Sequence, residues 1–218
     1  MKHRWLIGIG TVLALLAGWV IHDVTSTERH SLRQFDPHEV GRLETAMWRS
    51  YYDRSRLSLA RELIELLRDQ YHLPFWRAAS GAVHAARAAA IFQEGHNRAE
   101  YERALPDLVS YYSLIRQASE EDFPVDETAR LELEWWIVHR ERAHHPQSDL
   151  EHSLALLQAT LFHQPQSYFF DHAQARAEAM LLRDTRQESG GVSERDWARI
   201  GRLLDTSWTS LQKTVSAP

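Results

Sequence analysis

From residue 36 onward, apolar residues recur at spacings of three and four, and no segment alternates with the period of two that a strand requires. Trp197, Ile200, Leu204, Trp208 and Leu211 show the pattern in its cleanest form, one stripe along one helix. This periodicity fixes the class as all-α. The punctuation between the periodic stretches sets the helix count. Asp36-Pro37 is an N-cap followed by proline at the first helical position, with Glu39 placed to complete a capping box. The helix it opens is expected to run to about Tyr71 and stop at Leu73-Pro74.

Further helices are expected over Pro74 to Glu94, which is alanine-rich, and over Arg98 to Gln117, kinked at Pro106. Asp126 should cap the next, which ends at His145-Pro146; the following two cover Asp149 to Phe162 and Ser167 to Glu188. The last opens at Ser193, with Asp196 three residues on, after Gly190-Gly191. Short connections imply antiparallel neighbours. The starts near residues 37, 98, 149 and 193 are unequally spaced, and no tetratricopeptide-type consensus appears. The expectation is an irregular bundle of about seven helices, with a solenoid-like stack of helix pairs as the alternative.

The N-terminus, MKHRWLIGIGTVLALLAGWVIHD, has a different character. Lys2 and Arg4 precede an uncharged, mostly apolar run from Trp5 to Ile21, and Asp23 follows it. That length lies at the short end of the ~17–25 helical residues that span a bilayer. Trp5 and Trp19 sit near its two ends, where amphipathic rings prefer the interface. Residues 1–22 therefore read as a single transmembrane signal anchor, residues 23–35 as a polar stalk, and 36–218 as a helical extracytoplasmic domain. The charge bias places the N-terminus in the cytoplasm and the bulk of the chain on the periplasmic side. A cleaved secretory signal is the rival, with only Val24-Thr25-Ser26 as a cleavage candidate.

Composition removes several functions. Net charge is −5, and the acid excess grows once Lys2 and Arg4 are set aside, which argues against a nucleic-acid partner. The absence of cysteine excludes disulfides, zinc–thiolate sites, covalent haem and cysteine nucleophiles. There is no glycine-rich phosphate loop, nucleophile elbow or H-E-x-x-H. Nothing points to catalysis, and no cofactor is called for.

The stretch LELEWWIVHR, residues 131 to 140, is the most informative for a site. At about 100° per residue, Glu127, Arg130, Glu134, Glu141 and His145 share a solvent stripe, while Glu132 and His139 fall opposite it beside Trp135 and Trp136. Glu44 lies within the apolar face formed by Val40, Leu43, Met47, Trp48, Tyr51 and Tyr52, with Arg54 at its edge. Arg87 falls between Trp76, Val83 and Ile91, with His84 beside them. Inward charges must be paired, hydrogen-bonded or metal-bound.

The first reading is a buried ion-pair network of Glu44, Arg54, Arg87 and Glu132. The second is a metal site, since Glu44, His84, Glu132 and His139 are ligand types of a di-iron or di-manganese bundle, although the Glu-x-x-His signature is missing where it is needed. A b-type haem on His84 or His139 is a third. Tyr168, Phe169 and Phe170 form an aromatic cluster that belongs either to the core or to a docking patch. The resulting expectation is a membrane-anchored interaction or assembly protein. It would be a subunit or accessory factor serving the bilayer and other membrane or periplasmic proteins. A metal- or haem-binding bundle, even an oxidoreductase, is the alternative.

Overall fold

A computed structural model describes residues 2–26 and 28–216, without the side chains of residues 2–7 and 9. The described residues are all helical and connecting segments, with no strand. The order is α1 (Lys2–Thr25), α2 (Pro37–Tyr52), α3 (Arg56–Asp69), α4 (Phe75–Glu94), α5 (Arg98–Tyr101), α6 (Leu105–Ala118), α7 (Val125–Arg140), α8 (Gln147–Phe162), α9 (Phe170–Glu188) and α10 (Glu194–Val215). Short 3₁₀ turns lead into α6 and α9.

Side-chain caps mark the starts of α2, α5 and α10. The Asp36 carboxylate accepts from the amides of His38 and Glu39, as expected. Glu39 does not close a capping box, however. It turns outward to Arg42, and the Asp36 amide donates to Gln70 Oε1 instead, which ties the start of α2 to the end of α3. The Ser193–Asp196 box forms in full at α10. The single helix expected over 37–71 is broken. Arg54 adopts a left-handed conformation (φ 56°), and the chain reverses there from α2 into α3. The fourth helix of the sequence reading starts on Pro124 rather than Asp126 and ends at Arg140, short of His145.

Each helix from α2 to α10 packs on its neighbour in the chain, with the short α5 acting as part of the α4–α6 connection, and α10 packs back on α2. The result is a closed ring of eight helices: α2, α3, α4, α6, α7, α8, α9 and α10. Small residues make the closing seam. A Cβ on Gly41 would lie 3.0 Å from the Asp205 Cα, and one on Gly201 would lie 3.5 Å from Thr45 Oγ1. Polar contacts across the seam join His38 to Asp205 and Arg49 to Glu194.

The segment before α2 is no free stalk. His30 pairs through its backbone with residues 118 and 120, Leu32 is buried, and Arg33 donates to the carbonyls of Phe162 and Val215. Among the described residues helix α1 meets the ring chiefly at α4, through a reciprocal junction. Asp23 accepts from the Trp76 amide at the N-terminus of α4, where Pro74 supplies no side-chain cap. Arg77 donates in return to the carbonyls of Val24 and Ser26 at the end of α1. Trp19 packs against Phe75 and Trp76 rather than standing alone.

Among the described residues no helix is long and apolar enough to cross a membrane. The spanning segment expected over residues 1–22 is thus not found there, and the side chains of Lys2, Arg4 and Trp5 lie outside the described residues.

Candidate ligand-binding cavity

The ring surrounds a cavity of about 500 Å³ to which all eight of its helices contribute. A volume of this order lies within the ~300–1,000 Å³ of ordinary small-molecule sites. The alanine-rich face of α4 (Ala82, Ala85, Ala86 and Ala89) lines one side, so these small residues leave space instead of only bringing helices close. Aromatic rings from the other helices face them: Trp48, Tyr111, Trp135, Trp136 and Trp208 among others.

Glu44 and Glu132 both reach this cavity, and each is held in place. Glu44 Oε1 accepts from Arg176 Nε (3.0 Å) and Nη2 (2.6 Å), and Oε2 accepts from the Trp208 indole. The Arg176 guanidinium also lies over the Trp135 ring, 5.0 Å from its centroid. Burial disfavours the Arg176 charge, but Glu44 and Glu132 outweigh that cost and raise its pKa. Glu132 accepts from the Tyr112 hydroxyl (2.8 Å) and from the Trp136 indole (3.0 Å). Both of its oxygens are acceptors, the pattern of a carboxylate. Burial, reinforced by these carboxylates, pushes the phenol of Tyr71 up to about 12 and those of Tyr111 and Tyr112 well above their usual range.

A second polar cluster lines the same cavity. Asp184 receives Arg183 (2.9 Å), while Arg142 lies 3.4 Å and His139 Nε2 3.0 Å from its other oxygen. The His139 approach is an ion-pair distance without hydrogen-bond geometry. Burial works against ionised Asp184, yet His139, Arg183 and Arg142 together hold its pKa below the usual carboxylate range. Arg183 lies over the Tyr52 ring, and burial lifts that phenol to about 12.

The residues expected to form a site therefore part company. Glu44, Glu132 and His139 line one cavity. His84 does not; its Nδ1 lies 2.8 Å from Asp107, on the other side of α4. Arg87 is 65% exposed and approaches the same Asp107, so it pairs with neither Glu44 nor Glu132. Arg54 is exposed at the α2–α3 break. The network contains Arg176 where Arg54 and Arg87 were expected.

Among the described residues no three His, Asp or Glu side chains gather around a point that could hold a metal ion. The aromatic cluster divides: Phe169 is buried and stacks on Phe162, while Tyr168 (59%) and Phe170 (43%) are exposed.

Arg176 was the main omission of the sequence reading, and its signal was present. It lies three residues after Ala173 and four before Met180, both buried, and so falls on the inward face of α9. Its α9 neighbour His172 is fully buried. Its Nδ1 lies 3.0 Å from the Ser207 carbonyl, and its Nε2 has no hydrogen-bond partner. No family model, curated protein or solved structure matches this chain.

Proposed function

We propose that this protein is a membrane-anchored binding protein whose helical ring holds a small, largely apolar ligand. The observation that carries the reading is the cavity itself: a space of about 500 Å³ at the centre of a closed ring, walled by aromatic rings and crossed by a few fixed charges. Sites that take small molecules have this make-up. The reading is capture, because most charged groups lining the cavity are tied to one another or to neighbouring rings.

In the same proposal α1 is the anchor. Val12, Leu13, Leu15, Leu16 and Ile21 are 45–69% exposed, and at about 100° per residue they face all round the helix. A helix apolar on every side belongs in a protein core or in lipid. Lys2 and Arg4 ahead of it and Asp23 behind it favour a cytoplasmic N-terminus and an extracytoplasmic ring.

Small-molecule mass spectrometry on protein released gently from its membrane and then denatured tests the proposal. A stoichiometric organic compound freed only on denaturation is expected. Protein that carries nothing, and binds nothing from an extract of the same cells, would overturn it. Flotation with liposomes tests the anchor: the full chain should float, and a chain lacking residues 2–22 should not.

A second reading is an assembly or accessory subunit of a membrane complex. Exposed Tyr168 and Phe170, on the turn that opens α9, favour it as a docking point. Loss of co-purifying membrane proteins in a Tyr168→Ser/Phe170→Ser variant would support it.

A further inference from the structure

Three carboxylates line the cavity: Glu44 and Asp184 have arginines at ion-pair distance, and Glu132 has none. Glu44 receives two Arg176 N–H groups on one oxygen. Glu132 has only neutral donors, the Tyr112 hydroxyl and the Trp136 indole, and no cation lies within ion-pair distance of it among the described residues. The other arginines that line the cavity are committed to protein groups. Arg183 and Arg142 share Asp184, and Arg142 also pairs with Glu188. Arg140 donates to the carbonyls of Phe92 and Gly95 and lies over the Phe92 ring. Among the cavity carboxylates, the one with no cation at ion-pair distance is thus Glu132, which Arg176 answers only from farther off.

The walls near Glu132 have the matching chemistry. Trp135, Trp136, Tyr111 and Tyr112 present π faces, whose quadrupole is negative toward a cation. The cavity already holds one cation this way, since Arg176 lies over Trp135 and Trp208. The Tyr71 and Tyr111 hydroxyls line the cavity and have no hydrogen-bond partner among the described residues. An anion seated against Glu132 would meet a like charge, and a purely apolar ligand would leave a carboxylate desolvated against it, which is costly.

We propose that the cavity is a receptor for an organic cation, a compact amine or quaternary ammonium with apolar substituents, seated between Glu132 and the aromatic walls. The proposal rests on the ligand-binding reading of the ring. It specifies what that reading leaves open, the charge and chemical class of the ligand.

The test compares three probes of one shape: the choline cation, the uncharged 3,3-dimethylbutan-1-ol, and the 3,3-dimethylbutanoate anion. Each is titrated calorimetrically into the full chain in lipid nanodiscs. Choline should bind about tenfold or more tighter than the alcohol, the scale of one desolvated cation–π or ion-pair contact. Glu132→Gln should remove that preference by weakening choline and not the alcohol. If Glu132→Gln fails to fold, Tyr111→Leu serves, because its hydroxyl anchors nothing; it should weaken choline more than the alcohol. Equal binding of choline and alcohol, preference for the anion, or a choline preference that survives both variants would overturn the assignment while leaving a binding cavity. Failure of all three probes to bind would overturn the assignment, while a stoichiometric compound still released on denaturation would keep the cavity reading.

Discussion

The burial of His172 predicts how the fold responds to acid. Its ring is fully enclosed between α9 and α10, edge-on to Trp208. The Nδ1–H donates to the Ser207 carbonyl, which fixes the neutral tautomer with the lone pair on Nε2. Protonation would place a second N–H at Nε2, where no acceptor exists, and a charge near Arg176. Burial and that neighbouring charge lower the pKa from 6.5 to about 3.

The sign follows directly. Between these values the unfolded chain binds a proton and the folded chain does not, so stability is full above pH 6.5 and falls as pH drops toward 3. Lowering the pH from 7 to 5 costs about 2 kcal/mol, taken as 1.36 kcal/mol for each unit below the unfolded value. For a chain of this size that is a fall in Tm of about 4–8 °C. Thermal unfolding followed by circular dichroism at pH 7, 6 and 5 measures it. His172→Phe should unfold more easily at pH 7, having lost the Ser207 bond, but should lose less Tm on acidification than the wild type. A wild-type Tm that is flat over this range, or an equal slope in the variant, would refute the reasoning. Exposed His38 acts in the opposite direction, since Asp205 raises its pKa, and Asp184 contributes only at lower pH, where its carboxyl titrates.

Arg176→Met should destabilise by roughly 3–5 kcal/mol in urea unfolding, because it strands the buried Glu44 carboxylate. Adding Glu44→Leu to it should recover much of that loss, and a double variant no better than the single would contradict the pairing. Gly41→Ala should cost about 1–3 kcal/mol by forcing α2 off the α10 backbone, whereas Gly201→Ala, with ordinary contact distances to Thr45, should be close to neutral. Ser193→Ala should cost about 1 kcal/mol through loss of the α10 capping box, read as a lower urea midpoint.

What the sequence revealed was whatever is encoded within one helix. The spacing of Glu44 among Val40, Leu43 and Met47, and of Glu132 beside Trp135 and Trp136, placed both carboxylates inward, and both line the cavity. The Ser193–Asp196 box is local and was legible. Partners were not, because pairing is a property of the ring: Glu44 and Arg176 lie 132 residues apart in the chain. The face of α4 was misjudged for a related reason. His84 and Arg87 lie near apolar residues in helical projection, but α6 offers them Asp107, which draws them to the far side of the helix. The α2–α3 break hides in Asp53-Arg54-Ser55, where no glycine or proline marks the turn and an arginine takes the left-handed conformation. Closure of α10 on α2 is a contact between the ends of the domain and leaves no periodic trace.

The cavity exists only if that closure does, and the chain's lack of cysteine makes closure simple to test. A Cβ on Gly201 would lie 3.5 Å from Thr45 Oγ1 and 3.7 Å from Thr45 Cγ2, the positions open to a sulfur at residue 45, so Thr45→Cys and Gly201→Cys would face each other across the seam. Mild oxidation of this double variant should yield one intramolecular disulfide, seen as a faster-migrating monomer on non-reducing gels. Two free thiols under the same oxidation, in a variant that remains folded, would mean that α10 does not close the ring on α2.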